Sequence, residues 1–293
     1  MKVFVTGATG YIGSVVAELL KKSGHEVTGL ARSAEAAAKL KAADVGVFEG
    51  DLANTEGLAQ AAKAADAVIH CAMKPSAEAA KLDRDAVEAM LTALAGTQKT
   101  FIYTSGVWVY GDTRDRMLGE LAKLDPAPLV AWRPAVEDLV LEARDREVKS
   151  MVIRPGMVFG RKGGPFNGWY ESAAKEKVIR VVGDGQNHWS AVHVDDLSDL
   201  YRRAVEEPYP GEVFLACSGM PQRVTKLAEA VQRYSGEGVA IQYVPLEDAR
   251  ASLGPVAECL AMDIKTGSTK AVRYFGWGPR NPNIAAVLEQ GNQ

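Results

Sequence analysis

The opening segment narrows the folding choices of this chain more than any other. Lys2-Val3-Phe4-Val5-Thr6 is a β-branched and aromatic run that passes directly into Gly7-Ala8-Thr9-Gly10-Tyr11-Ile12-Gly13, glycines spaced G-x-x-G-x-x-G. Beyond them Ile12, Val15, Val16, Leu19 and Leu20 recur at i, i+3, i+4, i+7 and i+8, one apolar stripe of a helix that ends near Gly24. A strand, a glycine turn and a helix in that order bring bare backbone N–H groups to a helix N-terminus. The partial positive charge there favours an anion such as a pyrophosphate.

Further strand-like runs follow at Glu26–Leu30, Gly46–Glu49, Ala67–Cys71, Thr100–Thr104 and Lys149–Ile153, with helical patterns between them. Such alternation predicts an α/β fold, a doubly wound parallel sheet of Rossmann type. The runs are mostly consecutive apolar residues, as strands covered on both faces require. Ser33, Asn54 and Asp83 stand where the N-caps of the next three helices are expected. The 293 residues exceed one ordinary domain but suit a Rossmann unit with a small substrate lobe. Gly and Pro clusters at 163–168, 183–185 and 208–211 loosen the rhythm. The expected division is therefore 1–162, the nucleotide-binding domain, and 163–293, a C-terminal substrate region in which 191–217 returns to the main sheet.

Bulk charge asks for no polyanionic partner. Lys plus Arg number 34 against 37 Asp plus Glu, so neither nucleic acid nor an acidic membrane surface is expected, and any phosphate site must be local. Cys71, Cys217 and Cys259 are far apart and form no C-x-x-C pair, which excludes a zinc-ligand pattern and a disulfide framework. Asp195-Asp196 opens a helix and reads as a pair of capping carboxylates, Asp83/Asp85 suggests no metal site either, and no metal is expected. No signal-type leader and no apolar run of about 18 residues occurs. The expectation is a cytoplasmic monomer or homodimer acting on a small molecule.

Several segments resemble the short-chain dehydrogenase/reductase superfamily, in its extended and atypical branches. They follow the glycine turn in family order. Asp51-Leu52 resembles the pair that brackets the adenine. Val68-Ile69-His70-Cys71-Ala72 is similar to the fourth-strand end that lies along the cofactor. Phe101-Ile102-Tyr103-Thr104-Ser105, with Val109-Tyr110-Gly111, resembles the fifth strand with its active-site serine. Arg154-Pro155-Gly156-Met157-Val158-Phe159-Gly160 resembles the segment beside the nicotinamide, and Val192-His193-Val194-Asp195-Asp196-Leu197 the later V-x-V-D-D-L motif. The match reaches Phe275-Gly276-Trp277-Gly278-Pro279, so it covers nearly the whole chain. It implies a nicotinamide cofactor on Thr6, Gly7, Thr9, Gly10, Tyr11, Ile12, Gly13, Asp51, Leu52, His70, Cys71, Ala72, Thr104, Pro155 and Val158.

At the second-strand end a carboxylate would bind the adenosine ribose and an arginine a 2′-phosphate. Thr28-Gly29-Leu30-Ala31-Arg32-Ser33 has no acid there, so NADP(H) is preferred with Arg32 and Ser33 as phosphate ligands, and NAD(H) remains possible. The family's Y-x-x-x-K dyad is broken. Aligned on Glu137, Leu129-Val130-Ala131-Trp132-Arg133 places Leu129 at the tyrosine and Arg133 at the lysine. Arg133 is expected to bind ribose hydroxyls, yet a permanently protonated guanidinium is no general acid. Ser105 is the candidate to polarise a carbonyl oxygen, and Tyr110 or a water the candidate proton donor. His25 reads as solvated, and His70 as a cofactor-side hydrogen-bonding group. His188 is a candidate for the substrate side, and His193 reads as packing the returning strand. Arg161, Lys162 and the loop Gly163-Gly164-Pro165-Phe166-Asn167-Gly168 are candidates to close over substrate. Three functions stay open: a reductase of a small carbonyl compound, a catalytically silent NADP-binding sensor or interaction protein, and a nucleotide-sugar epimerase or dehydratase.

Overall fold

The strand–helix alternation read from the sequence is realised from the first residue onward. The structure, a computed structural model, describes all residues from 1 to 293 except 74, 75 and 77. Its elements in chain order begin β1 (Lys2–Thr6), α1 (Tyr11–Lys22), β2 (Glu26–Ala31), α2 (Ala34–Ala42), β3 (Gly46–Glu49), α3 (Thr55–Ala64), β4 (Ala67–His70), α4 (Ala79–Leu94), β5 (Thr100–Thr104), α5 (Arg133–Glu142) and β6 (Lys149–Pro155). They continue with β7 (Met157–Phe159), α6 (Pro165–Glu176), β8 (Val178–Val182), β9 (His188–Trp189), β10 (Ala191–His193), α7 (Val194–Glu206), β11 (Glu212–Ala216), β12 (Gln222–Arg223), α8 (Val224–Ser235) and β13 (Ala240–Val244).

A seven-stranded sheet runs in the order β11-β6-β5-β4-β1-β2-β3. Pairing is parallel, with Thr6 opposite His70, Ala31 opposite Glu49, His70 opposite Tyr103 and Thr104 opposite Ile153, so these strand ends share one edge. Strand order reverses between β1 and β4, and a doubly wound sheet opens its ligand crevice at such a switch point. Helices cover the apolar faces: Phe4, Leu58, Val68, Met90, Phe101, Val140 and Val152 belong to one buried cluster. Each such side chain contributes about 1.5–3 kcal/mol on burial.

The chain divides into two compact units. The first comprises Met1–Ser105, Trp132–Ile153 and Ser198–Phe214, the second Gly106–Ala131, Arg154–Leu197 and Leu215–Gln293. The sequence expectation is a break near 162 with 191–217 returning to the main sheet; in the structure the chain departs for the second unit three times, each time at the carboxyl end of a sheet strand (β5, β6 and β11), where ligand-binding extensions of such sheets grow. Within 191–217, β11 is the strand that joins the main sheet, whereas β10 pairs in parallel with β7 in a ladder of its own. In the second unit Phe159, Phe166, Trp169, Trp189 and Val231 form a separate core, with Trp169 and Trp189 stacked at 5.6 Å.

Two sequence expectations need correction here. Asp83 caps no helix: α4 begins a turn earlier, and Asp83 lies on its buried stripe with Ala86, Val87, Met90, Leu91 and Leu94. The glycine-rich 163–168 stretch is not an open loop, because Pro165 occupies the first turn of α6, where its missing N–H is no loss, and Phe166 is fully buried.

Candidate functional site

The glycine turn joins β1 to α1 at the switch point. Gly7 adopts φ +72°, and a Cβ there would lie 2.9 Å from the backbone of Cys71 and Ala72. At Gly13 a Cβ would stand 2.3 Å from the Gly7 carbonyl oxygen, so the helix packs on the turn closely enough to exclude any side chain. Thr9 and Gly10 are exposed, and Gly10 as N-cap places no side chain over the first turn of α1. The result is a helix N-terminus open to an anion, and its shape fits a dinucleotide pyrophosphate.

At the end of β2, Arg32 is exposed and makes no hydrogen bond or ion pair among the described residues. Ser33 is the N-cap of α2, its Oγ accepting the Ala36 N–H at 3.2 Å. After β3, Asp51 turns one oxygen back on the N–H groups of Ala53 and Asn54 at 2.9 and 3.2 Å, and the Leu52 side chain is buried in the core.

The carboxyl ends of β1, β4 and β5 hold a buried polar network. Thr6 Oγ1 accepts the Ala72 N–H at 3.3 Å and lies 2.8 Å from His70 Nδ1. Asp83 is an acceptor, so the His70 Nε2–H donates to its Oδ1 at 3.0 Å, while Nδ1 pairs with the Thr6 hydroxyl. Asp83 Oδ2 accepts the Tyr103 hydroxyl at 2.5 Å and the Trp132 indole N–H at 3.0 Å. Burial pushes the Asp83 carboxyl up, but His70, the Tyr103 hydroxyl and Arg133 outweigh it and hold it below the ordinary range. Burial pushes the Tyr103 phenol well above its usual value, with Arg133 opposing the rise and Asp83 adding to it. Arg133, first residue of α5, donates from Nη1 to the Thr104 carbonyl at 2.7 Å. Its guanidinium makes no other hydrogen bond among the described residues.

Beside it Thr104 Oγ1 bridges Cys71 Sγ at 3.1 Å and the Tyr201 hydroxyl at 2.6 Å. Burial pushes the Cys71 thiol up to about 11, the property of an inert packing group. Ser105 ends the first segment of this unit; its Oγ is buried and has no hydrogen-bond partner among the described residues.

In the second unit Tyr110 is buried with its hydroxyl 2.6 Å from Arg154 Nη1, and the guanidinium carbon stands 5.0 Å over its ring. Arg154 also reaches the Glu120 carbonyl at 3.3 Å. Pro155 is buried and Val158 half-buried. His188 Nδ1 faces Asp263 at 3.1 Å, and His193 Nε2 faces the Gln293 carbonyl at 2.9 Å. Asp196 receives the N–H groups of Arg280 and Asn281 at 2.9 and 3.0 Å rather than capping its own helix. In the first unit His25 is not solvated, since its Nε2 meets Glu206 at 3.2 Å. The first unit thus brings together Thr6, Ala72, His70, Thr104, Cys71 and Arg133. Sequence reasoning missed Asp83, Tyr103, Trp132 and Tyr201 as their partners. The signal for Asp83 was present, a carboxylate in phase with an apolar helical stripe.

A parallel sheet with an open glycine turn at its switch point defines an NAD(P)-binding Rossmann protein of the short-chain dehydrogenase/reductase type. The chain belongs to the NAD dependent epimerase/dehydratase family, whose model matches residues 3–217. It is 33% identical to the uncharacterized protein YLL056C of Saccharomyces cerevisiae, over 96% of this chain and 95% of that one. It is 28% identical to a 4-hydroxy-2-methyl-3-oxo-4-farnesyl-3,4-dihydroquinoline-1-oxide ketoreductase of Stigmatella aurantiaca, over 86% and 78% of the two chains. Its fold is that of a dTDP-glucose 4,6-dehydratase from Bacillus anthracis solved in complex with NAD, with TM-score 0.82 and 16% identity over 99% of this chain and 94% of that one. Among the described residues no helix is long and apolar enough to cross a membrane.

Proposed function

We propose that the chain is an NADP(H)-dependent reductase of a small carbonyl compound. Ser105 is the observation that carries this reading: a hydroxyl at the carboxyl end of β5, buried and without a partner, is a donor held ready for an oxygen the protein does not itself supply. The ketoreductase name of the Stigmatella aurantiaca relative supports the reaction type.

The turn residues Thr6, Gly7, Thr9, Gly10, Tyr11, Ile12 and Gly13 would hold the pyrophosphate. Arg32 and Ser33 would hold a 2′-phosphate, Asp51 and Leu52 the adenosine end. His70, Cys71, Ala72 and Thr104 would line the inner half. Arg133, with donors left over after Thr104, would hold ribose hydroxyls and keep positive charge beside the ring. When bound, the reduced cofactor supplies a hydride. Ser105 Oγ–H donates to the carbonyl oxygen as negative charge develops on it, and the proton comes from a water or from the Tyr110 hydroxyl, whose oxygen accepts from Arg154 Nη1 and so keeps its own hydrogen.

A second reading, a silent NADP-binding sensor, draws on Leu129. At the position of the family tyrosine stands an aliphatic side chain packed against the cluster of Val107, Val109 and Val130. An assay of NADPH oxidation across aldehydes, ketones and activated alkenes separates the two. The reductase is expected to turn over at least one class, and Ser105→Ala to slow it about 10²–10³-fold with NADPH affinity nearly unchanged. Tight NADPH binding with no turnover of any class establishes the sensor instead.

A further inference from the structure

We propose that Asp83 is a positioning residue for Arg133, an inference that rests on the reading of Arg133 as a cofactor-holding group. Asp83 occupies a helix position where an apolar side chain would serve packing better, and it is only 5% exposed. A carboxylate at such a place carries a desolvation penalty that only well-aimed donors offset. It has three: His70 from β4, Tyr103 from β5, and Trp132, the residue before Arg133.

The geometry of Arg133 explains the choice of donors. Its guanidinium carbon lies 5.8 Å from the centre of the Trp132 ring and 5.9 Å from that of Tyr103. These are the two rings whose polar hydrogens converge on Asp83 Oδ2. The Tyr103 ring is braced from its other neighbour as well, stacked 5.9 Å from His70, whose own Nε2–H runs to Asp83 Oδ1. One anion therefore fixes the aromatic platform on which the guanidinium rests, and fixes the first turn of α5 against the end of β5. A hydrophobic side chain at 83 would fill the volume but leave the indole and the phenol without a common acceptor. An asparagine would meet one of the three donors with its own N–H groups.

The test is a double-mutant cycle read in NADPH affinity, by fluorescence titration of wild type, Asp83→Asn, Arg133→Ala and the double variant. Asp83→Asn alone is expected to raise the Kd about tenfold, within the coupling range of residues that act through one another. In the Arg133→Ala background it is expected to add less than about twofold, because the group being positioned is gone. Equal effects in both backgrounds, or an unchanged Kd in a folded Asp83→Asn protein, overturn the positioning role. A readout without cofactor accompanies it: the Trp132 indole N–H, identified by its loss in Trp132→Phe, exchanges slowly in wild type and fast in Asp83→Leu, and slow exchange in both overturns the proposal. If Asp83→Asn does not fold, Trp132→Phe replaces it in the cycle with the same two outcomes. Wild-type affinity retained in Arg133→Ala refutes the cofactor role of Arg133 itself, an outcome distinct from additivity in the cycle.

Discussion

Arg32 and Asp83 show how differently two charged residues act in one fold. Arg32 is exposed and unengaged among the described residues, so its free energy is spent only when an anion arrives. Arg32→Ala is expected to weaken NADPH binding by about 1.5–3 kcal/mol, roughly ten- to a hundredfold, and NADH binding hardly at all. Parallel titrations with both cofactors check this, and equal wild-type affinities would remove the basis for an NADP preference. Asp83 is committed within the folded chain. Burial raises its carboxyl, but the His70 and Tyr103 hydrogen bonds and the Arg133 charge bring the balance below the ordinary value of 3.8. A carboxyl lower in the folded than in the unfolded state stabilises fully above the unfolded value and loses that contribution as pH falls through the folded one. Urea midpoints should therefore drop below about pH 4, and Asp83→Asn should flatten that part of the curve. A wild-type profile that Asp83→Asn leaves unchanged would place the acid-sensitive groups elsewhere.

Among the elements, the β1–α1 turn makes the sharpest distinction between folding and binding. A side chain at Gly10 meets only the Gly7 oxygen, at 3.1 Å, whereas one at Gly13 meets it at 2.3 Å with other backbone close behind. Gly10→Val is expected to keep its melting temperature within a few degrees while losing cofactor binding. Gly13→Ala is expected to lose about 1–3 kcal/mol of stability as well, although alanine is the better helix former. Thermal melts paired with titration separate the two, and a stable Gly13→Ala protein would contradict the packing. Such elements were legible because strands, glycine turn and helix stripes are local patterns: β1, β3 and β5 fall where the apolar runs place them, and Ser33 and Asn54 cap as their positions imply. Asp83 was misread because the same residue type serves both at a helix start and as a buried acceptor. Only the arrival of Tyr103 and Trp132, distant in sequence, decides between them. The engagement of the Tyr110 hydroxyl by Arg154 is equally non-local.

At the scale of the whole molecule, the six-segment division sets what can be separated from what. A fragment ending at residue 162 carries the glycine turn and most of the sheet but lacks β11, leaving β6 as a bare edge. It also lacks Tyr201, the partner of Thr104. Such an edge invites pairing between copies, so the fragment should aggregate on size-exclusion chromatography where the full chain does not. A monodisperse, cofactor-binding fragment would contradict that expectation. The same wiring reaches further. The divisions at 153/154, 197/198 and 214/215 fall inside β6, α7 and β11, so single hydrogen-bonded elements have residues in both units. Melting one unit therefore tears strands and a helix of the other. Calorimetry should record one cooperative endotherm rather than two, and a ligand captured at the glycine turn should raise the thermal resistance of the C-terminal residues along with its own surroundings.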